Sequence, residues 1–242
     1  MNGKHIHESV GLRVTGEAEM ATFILVPGGW HGGWHYSGLA DRLRAAGHRA
    51  LPVTLTGLGD RAHLSGPAVN LETHIEDVLA VLASEQVSDA VLVGHSYAGM
   101  VITGVADRAA PGLVRRLVYS DAYVPENGQS CWELTTEAFR QIFLSGAAAD
   151  GFSVQPPPGL DPRTTAHPLA SFLQRLRLTG DGLGRIATRD YVYLSGWTGT
   201  PFTELHERLA KDPEWRTHVL DCSHNVVRDA LDDFQRILLL DE

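Results

Sequence analysis

A strand that runs directly into a serine-bearing turn, and from there into a helix, constrains this chain more than any other feature. Residues 89–93 (DAVLV) are an apolar run. Gly94-His95-Ser96-Tyr97-Ala98-Gly99 follows with no spacer, and residues 97–109 continue as a helix of small side chains. A turn this sharp forces its central residue into a strained conformation and exposes that side chain. Ser96 holds the central position. Its neighbours must be small because strand and helix nearly touch there, and Ala98 meets that need where a glycine is usual. The bland reading is a glycine-rich turn with an incidental serine. A strand before, a helix after and a histidine downstream count against it.

The rest of the chain repeats the strand–helix alternation. Residues 22–26 (TFILV), 48–53, 89–93 and 114–120 (VRRLVYS) read as buried strands, with helices over 34–46, 71–85 and 97–109 between them. Residues 190–194 (DYVYL) and 215–220 (WRTHVL) resume the pattern, with a helix over 201–211 between them and a last helix after the second that runs to about 240. Strands separated by helices imply right-handed crossovers and a mostly parallel sheet, here of six strands. The stretch 122–187 shows no clear buried strand but has helical patches near 136–144 and 169–178. It is too long for a loop in a compact domain, so it reads as a small helical cap. The expected organisation is a flexible leader over 1–20, a core made of 21–121 and 188–242, and a cap over 122–187.

Composition narrows the function classes. The chain of 242 residues is 43% hydrophobic and 20% charged, which fits one soluble domain. Its net charge of −9 comes without a basic patch, which argues against a nucleic-acid partner. No apolar run reaches the roughly 18 residues of a membrane span, and the leader lacks the apolar centre of a secretory signal. Cys131 and Cys222 form no disulfide framework, so a cytoplasmic protein with reduced thiols is expected. His5 and His7 in the leader read as solvated. No cluster of His, Cys and carboxylates has metal spacing, and the first glycine-rich loop lacks a phosphate-binding pattern.

A serine hydroxyl needs a base to take its proton. The last strand leads into Asp221-Cys222-Ser223-His224-Asn225, so His224 sits on a loop at a strand's carboxyl end, where open α/β sheets place their chemistry. His218, inside that strand, reads as a packing residue. The loop after the first strand, VPGGWHGGWHY, offers backbone N–H donors with little steric cover. The N–H groups of Gly29 and Tyr97 are the candidate oxyanion hole.

ILVPGGWHGGW, AAGHRALPVTLTGLG and VLVGHSYAGMV resemble the branch of the α/β-hydrolase superfamily that holds plant methyl esterases and hydroxynitrile lyases. TGLGDRAHL and LVYSDAYVPENGQS are similar to actinobacterial hydrolases of that branch. The resemblance is strong over about residues 22–130 and weaker around His224. It implies the α/β-hydrolase fold and a cofactor-free enzyme acting on small esters, lactones or related carbonyl compounds. It also implies a homodimer. Two departures matter. The lyases of this branch carry a lysine after the catalytic histidine and a threonine in the first loop. The matching residues are Asn225 and Gly28, which argues against cyanohydrin cleavage. The plant esterases carry their acid after the strand that matches DYVYL, where this chain has Ser195-Gly-Trp-Thr-Gly-Thr-Pro-Phe and no carboxylate. Asp190 stands at the far end of that strand, about 13 Å away by strand rise. Asp121, at the end of the preceding strand, is the candidate that orients His224; a turn-capping role is its alternative.

Trp30, His31, Trp132, Phe139 and Trp197 are the candidate substrate contacts, although cap aromatics also serve as core. Asp60 and Arg61 read as a local ion pair that orders their loop. The sequence therefore points to a serine hydrolase that forms an acyl-enzyme on a small lipophilic or aromatic ester or lactone. A lyase or cyclase acting on a natural-product intermediate, and a ligand-binding protein on the same scaffold, are the competing readings.

Overall fold

The computed structural model describes residues 20–180 and 183–241. The leader expected over 1–20, with His5 and His7, lies outside the described residues except for Met20. In chain order the elements are β1 (Thr22–Val26), α1 (Ser37–Ala45), β2 (Arg49–Pro52), α2 (Leu71–Ser84), β3 (Ala90–His95), α3 (Ala98–Arg108) and β4 (Val114–Ser120). An insert follows, with α4 (Cys131–Leu134), α5 (Glu137–Gly146), β5 (Ser153–Val154), β6 (His167–Pro168) and α6 (Leu169–Leu173). The chain then forms β7 (Thr188–Leu194), α7 (Phe202–Leu209), β8 (Arg216–Leu220), α8 (Val226–Asp229) and α9 (Leu231–Leu238).

Six strands make one sheet in the order β2-β1-β3-β4-β7-β8, and every neighbouring pair is parallel. Alternate residues of the central strands feed two cores, one on each face. Ile24, Val26 and Leu92 pack in one, and Phe23, Leu25, Val91 and Val93 in the other. That is why these strands read as continuous apolar runs rather than as an alternating pattern. The strand order reverses direction between β1 and β3, and a crevice opens there at the carboxyl ends. The loop after β1 and the turn after β3 meet in that crevice.

The structure moves several boundaries. Residues 122–187 contain one short buried pairing, β5 with β6, each two residues long. Two residues leave no periodic signal to read. The helix expected over 169–178 ends at Leu173, because Gln174 turns extended and its side chain accepts the N–H of Glu72 at 2.9 Å. The last helix breaks at Ala230, with φ −144° and ψ 42°. Arg61 pairs with Asp77 at 2.9 Å rather than with Asp60 and also donates to the Thr54 carbonyl. The buried carboxylate on α2 outcompetes a neighbour that remains in solvent.

Candidate active site

Ser96 lies immediately past β3 with φ +54°, in the left-handed region. Its backbone is tied to the end of β4: its N–H donates to the Ser120 carbonyl and its carbonyl accepts from Tyr123 N–H, both at 3.2 Å. These bonds hold a conformation that costs an ordinary residue of order 1–3 kcal/mol. Gly99 is required by close approach. A Cβ there would stand 1.9 Å from the Tyr123 carbonyl oxygen, so no other residue fits.

The loop after β8 brings His224 to Asp121. His224 Nδ1 lies 2.7 Å from Asp121 Oδ2, and the Asp121 side chain is fully buried. Asp121 stands just past β4 with φ +43°, a conformation that aspartate tolerates better than most residues. Burial pushes its carboxyl up, against the pull of the Leu194 N–H at 3.4 Å. Burial pushes the His224 imidazole down, and the nearby His31 adds to that. Burial thus keeps the imidazole neutral; with Asp121 ionised, Nδ1–H points to the carboxylate and Nε2 is free to take a proton. His95 Nε2 donates to the His224 carbonyl at 2.8 Å, so the residue before the serine also holds the histidine loop. Trp197 packs on His224 with ring centroids 3.9 Å apart. It belongs to the loop after β7, which carries no carboxylate over residues 195–202. Ser96 Oγ makes no hydrogen bond to His224 among the described residues. The two residues are walls of one cavity, and such contacts often tighten only around substrate.

Gly29 and Tyr97 line the same cavity as Ser96 and His224. The N–H groups of Gly29 and Tyr97 have no hydrogen-bond acceptor among the described residues. The Gly28 carbonyl accepts from His31 N–H at 3.3 Å. In a trans peptide C=O and N–H point opposite ways, so this bond fixes the direction of Gly29 N–H. Trp30 anchors the next peptide to the insert with three bonds. Its N–H donates to His167 Nδ1 at 3.2 Å, its carbonyl accepts from Thr165 N–H at 3.0 Å, and its indole donates to the Val154 carbonyl at 2.9 Å. Trp30 itself has φ +66°. Tyr97 is held from behind. His74 Nε2–H donates to the Thr56 carbonyl, which leaves its Nδ1 to accept the Tyr97 hydroxyl at 2.9 Å.

A cavity of about 320 Å³ lies over these groups. Ser96, His224, Gly29, Tyr97, Trp30, His31, Phe139 and Trp197 all line it. Trp132 does not. Its ring packs behind Phe143 and carries the Arg140 guanidinium, so that expectation is corrected: α4 directs the residue before it, Cys131, to the cavity instead. Sequence reasoning also missed Tyr123, Phe202 and the clamping roles of His95 and His167. His95 was visible inside the serine motif, but nothing in the chain announced its distant partner. Among the described residues, no group of three or more His, Cys, Asp or Glu side chains is placed to hold a metal, and no helix is long and apolar enough to cross a membrane.

A parallel sheet carrying Ser96, Asp121 and His224 on the carboxyl-end loops of β3, β4 and β8 defines a hydrolase-type scaffold, and sequence comparison agrees. The model of the alpha/beta hydrolase family matches residues 23–238, and the chain belongs to that family and is an enzyme of that class. It is 43% identical over 231 residues to the carbendazim hydrolyzing esterase of Nocardioides sp. (strain SG-4G), covering 87% of this chain and 95% of that protein. It is 28% identical over 127 residues to methylesterase 10 of Arabidopsis thaliana, covering 52% of this chain and 46% of the plant protein. An extracellular alpha/beta-hydrolase from a Paenibacillus species has the same fold, with a TM-score of 0.78 at 20% identity over 90% of this chain and 98% of that one.

Proposed function

We propose that this chain is a serine esterase that cleaves small, neutral, lipophilic or aromatic carboxylic esters or their carbamate relatives through an acyl-enzyme. The observation that carries the reading is the 2.7 Å contact between His224 Nδ1 and buried Asp121, made on the wall of the cavity that also holds Ser96. In the first half-reaction His224 Nε2 takes the proton of Ser96 Oγ as the oxygen attacks the carbonyl carbon. The N–H groups of Gly29 and Tyr97 stabilise the oxyanion. Its collapse expels the alkoxide, which leaves with the proton held by His224. In the second half His224 takes a proton from water, the hydroxide attacks the acyl-enzyme, and Ser96 regains its proton as the acid departs. Asp121 fixes the imidazole tautomer and stabilises the imidazolium.

The substrate class follows from the cavity. Its walls are mainly aromatic and aliphatic, with Phe139, Phe143, Phe172 and Trp197 over the serine and no Asp, Glu, Lys or Arg among its lining. A charged acyl group would lose its hydration there without a partner. Residues 122–187 act as a cap that supplies this apolar underside. The Nocardioides relative is named as an esterase that hydrolyses carbendazim, which supports hydrolysis as the reaction. A plant-type lyase reading is disfavoured at Gly28, where a Cβ would lie 2.8 Å from His95 Nδ1 and 3.0 Å from Ser96 Cβ.

The test is intact-mass spectrometry after exposure to a fluorophosphonate probe, with Ser96→Ala as control. A single adduct that the mutant lacks is expected. An adduct that persists in Ser96→Ala, or near-full ester turnover by that variant, removes the proposal.

A further inference from the structure

The polar groups on the cavity wall are almost all committed to protein partners. Trp30 gives its indole N–H to Val154, Tyr97 gives its hydroxyl to His74, and Tyr123 gives its hydroxyl to Thr135 at 2.8 Å. His95 spends Nε2 on the His224 carbonyl and buries Nδ1 without a partner. His31 differs. Its Nδ1 lies 2.7 Å from the Gly29 carbonyl oxygen, which can only accept, so Nδ1 carries the ring proton. Burial keeps the ring neutral by lowering its proton affinity, against the Gly29 carbonyl. Nε2 is therefore a bare acceptor. It has no partner among the described residues, and it is not one of the sealed polar atoms.

Its position sets what it can read. His31 is bonded through Nδ1 to Gly29, whose own N–H is the proposed oxyanion donor. His31 also lines the cavity that holds Ser96 and His224, and it lies close enough to His224 to help lower that imidazole's proton affinity. We infer that His31 Nε2 accepts a hydrogen bond from the substrate, and that the preferred substrates carry an N–H or O–H donor directly next to the scissile carbonyl, as N–H carbamates and α-hydroxy esters do. This deepens the esterase reading and rests on it. In an apolar cavity an unmet acceptor is costly, so analogues lacking the donor are rejected more strongly than their size difference explains.

Matched substrate pairs test this, because each pair keeps its carbonyl chemistry and changes only the donor. One pair is methyl N-phenylcarbamate against its N-methyl analogue, and the other is methyl mandelate against its O-methyl ether. The two pairs separate an N–H source from an O–H source. The readout is the ratio of kcat/KM within a pair, which cancels damage to the oxyanion loop that both members share. Wild type should favour the donor-bearing member of at least one pair by about 30-fold or more. His31→Asn can keep the bond to Gly29 yet has no atom at the Nε2 position. It should bring the ratio within about 3-fold whatever its absolute turnover, and His31→Gln should restore part of the preference. Equal use of both members by wild type in both pairs, or a preference that survives in His31→Asn, overturns the inference while leaving the esterase reading intact. If no member of any pair is turned over and no fluorophosphonate adduct forms, the esterase reading fails and takes the inference with it.

Discussion

Asp121 and Asp190 are both fully buried carboxylates on neighbouring strands of one sheet, and each holds a histidine: His224 at 2.7 Å and His218 at 2.8 Å. Their remaining partners differ. Asp190, inside β7, also bonds Arg116 at 2.8 Å and Arg216 at 2.9 and 2.8 Å. Arg116 in turn donates to the carbonyls of Ile237, Leu238 and Leu240, where α9 ends. This cluster joins β4, β7, β8 and the last helix. Asp121, past the carboxyl end of β4, pairs with no Arg or Lys among the described residues. Burial alone raises a carboxylate, as at Asp121. At Asp190 burial also works upward, but His218, Arg216 and Arg116 outweigh it and hold the group at about 2. Under the proposed function the same residue pair is a reactive group at one end of the sheet, while at the other it staples the strands. The number of cations around the carboxylate makes the difference.

The largest expected effect breaks the pair at the carboxyl end. Asp121→Asn should lower kcat by about 10³- to 10⁴-fold, since the imidazole loses its fixed tautomer and the partner of its positive form. Its stability should move little or rise at about pH 8, because a carboxylate whose pKa is raised by burial costs folding energy once it ionises. Turnover within a few-fold of wild type, checked by steady-state kinetics, would show that Asp121 only caps a turn.

Asp190→Asn should do the reverse. Turnover should stay within a few-fold, while unfolding free energy falls by about 3 kcal/mol, because two guanidiniums lose their counter-charge at a buried site. Urea unfolding reads this directly. The pH dependence sharpens it. Asp190 is held near 2, below the roughly 3.9 of an unfolded chain, so its contribution is complete above about pH 4 and fades as pH falls toward 2. The stability gap between wild type and Asp190→Asn should narrow over that window and stay level above it. A constant gap down to pH 2 would mean that the charge on Asp190 is not what staples the strands.

The two histidines give smaller effects. His224 must be neutral to act as a base, and burial lowers its pKa from 6.5. The acid limb of kcat/KM should therefore have its midpoint below 6.5, which extends activity to lower pH; a midpoint at or above 6.5 contradicts the geometry read here. His218→Gln should cost about 1 kcal/mol of stability, one partly exposed hydrogen bond, and leave kcat unchanged. A drop in kcat there would mean that the two ends of the sheet are coupled.

Much of this was legible in the chain. The apolar runs, the glycine-bounded turn around Ser96 and the histidine after the last strand are local patterns, and local patterns survive in a sequence. Asp121 could be singled out because the family resemblance points to the loop after 190–194, that loop has no carboxylate, and strand rise puts Asp190 too far away. Other features left no trace. The two-residue strands β5 and β6 are shorter than any period. Trp132 and Phe139 looked alike as cap aromatics, and only the orientation of α4 and α5 sends one behind Phe143 and the other to the cavity.

The sequence by itself determined the alternation of strand and helix, the parallel sheet, the strained serine and the candidate base, because each rests on residues adjacent in the chain or at a fixed spacing. The tertiary structure decided which carboxylate meets His224, across 103 residues, and which ring nitrogen of His31 is left bare. It also decided that Trp30 fastens the oxyanion loop to residues more than 120 positions away. Those outcomes depend on where separate strands end and on which hydrogen-bond acceptors burial leaves within reach. A linear pattern does not encode that until the sheet has brought its loops to one edge.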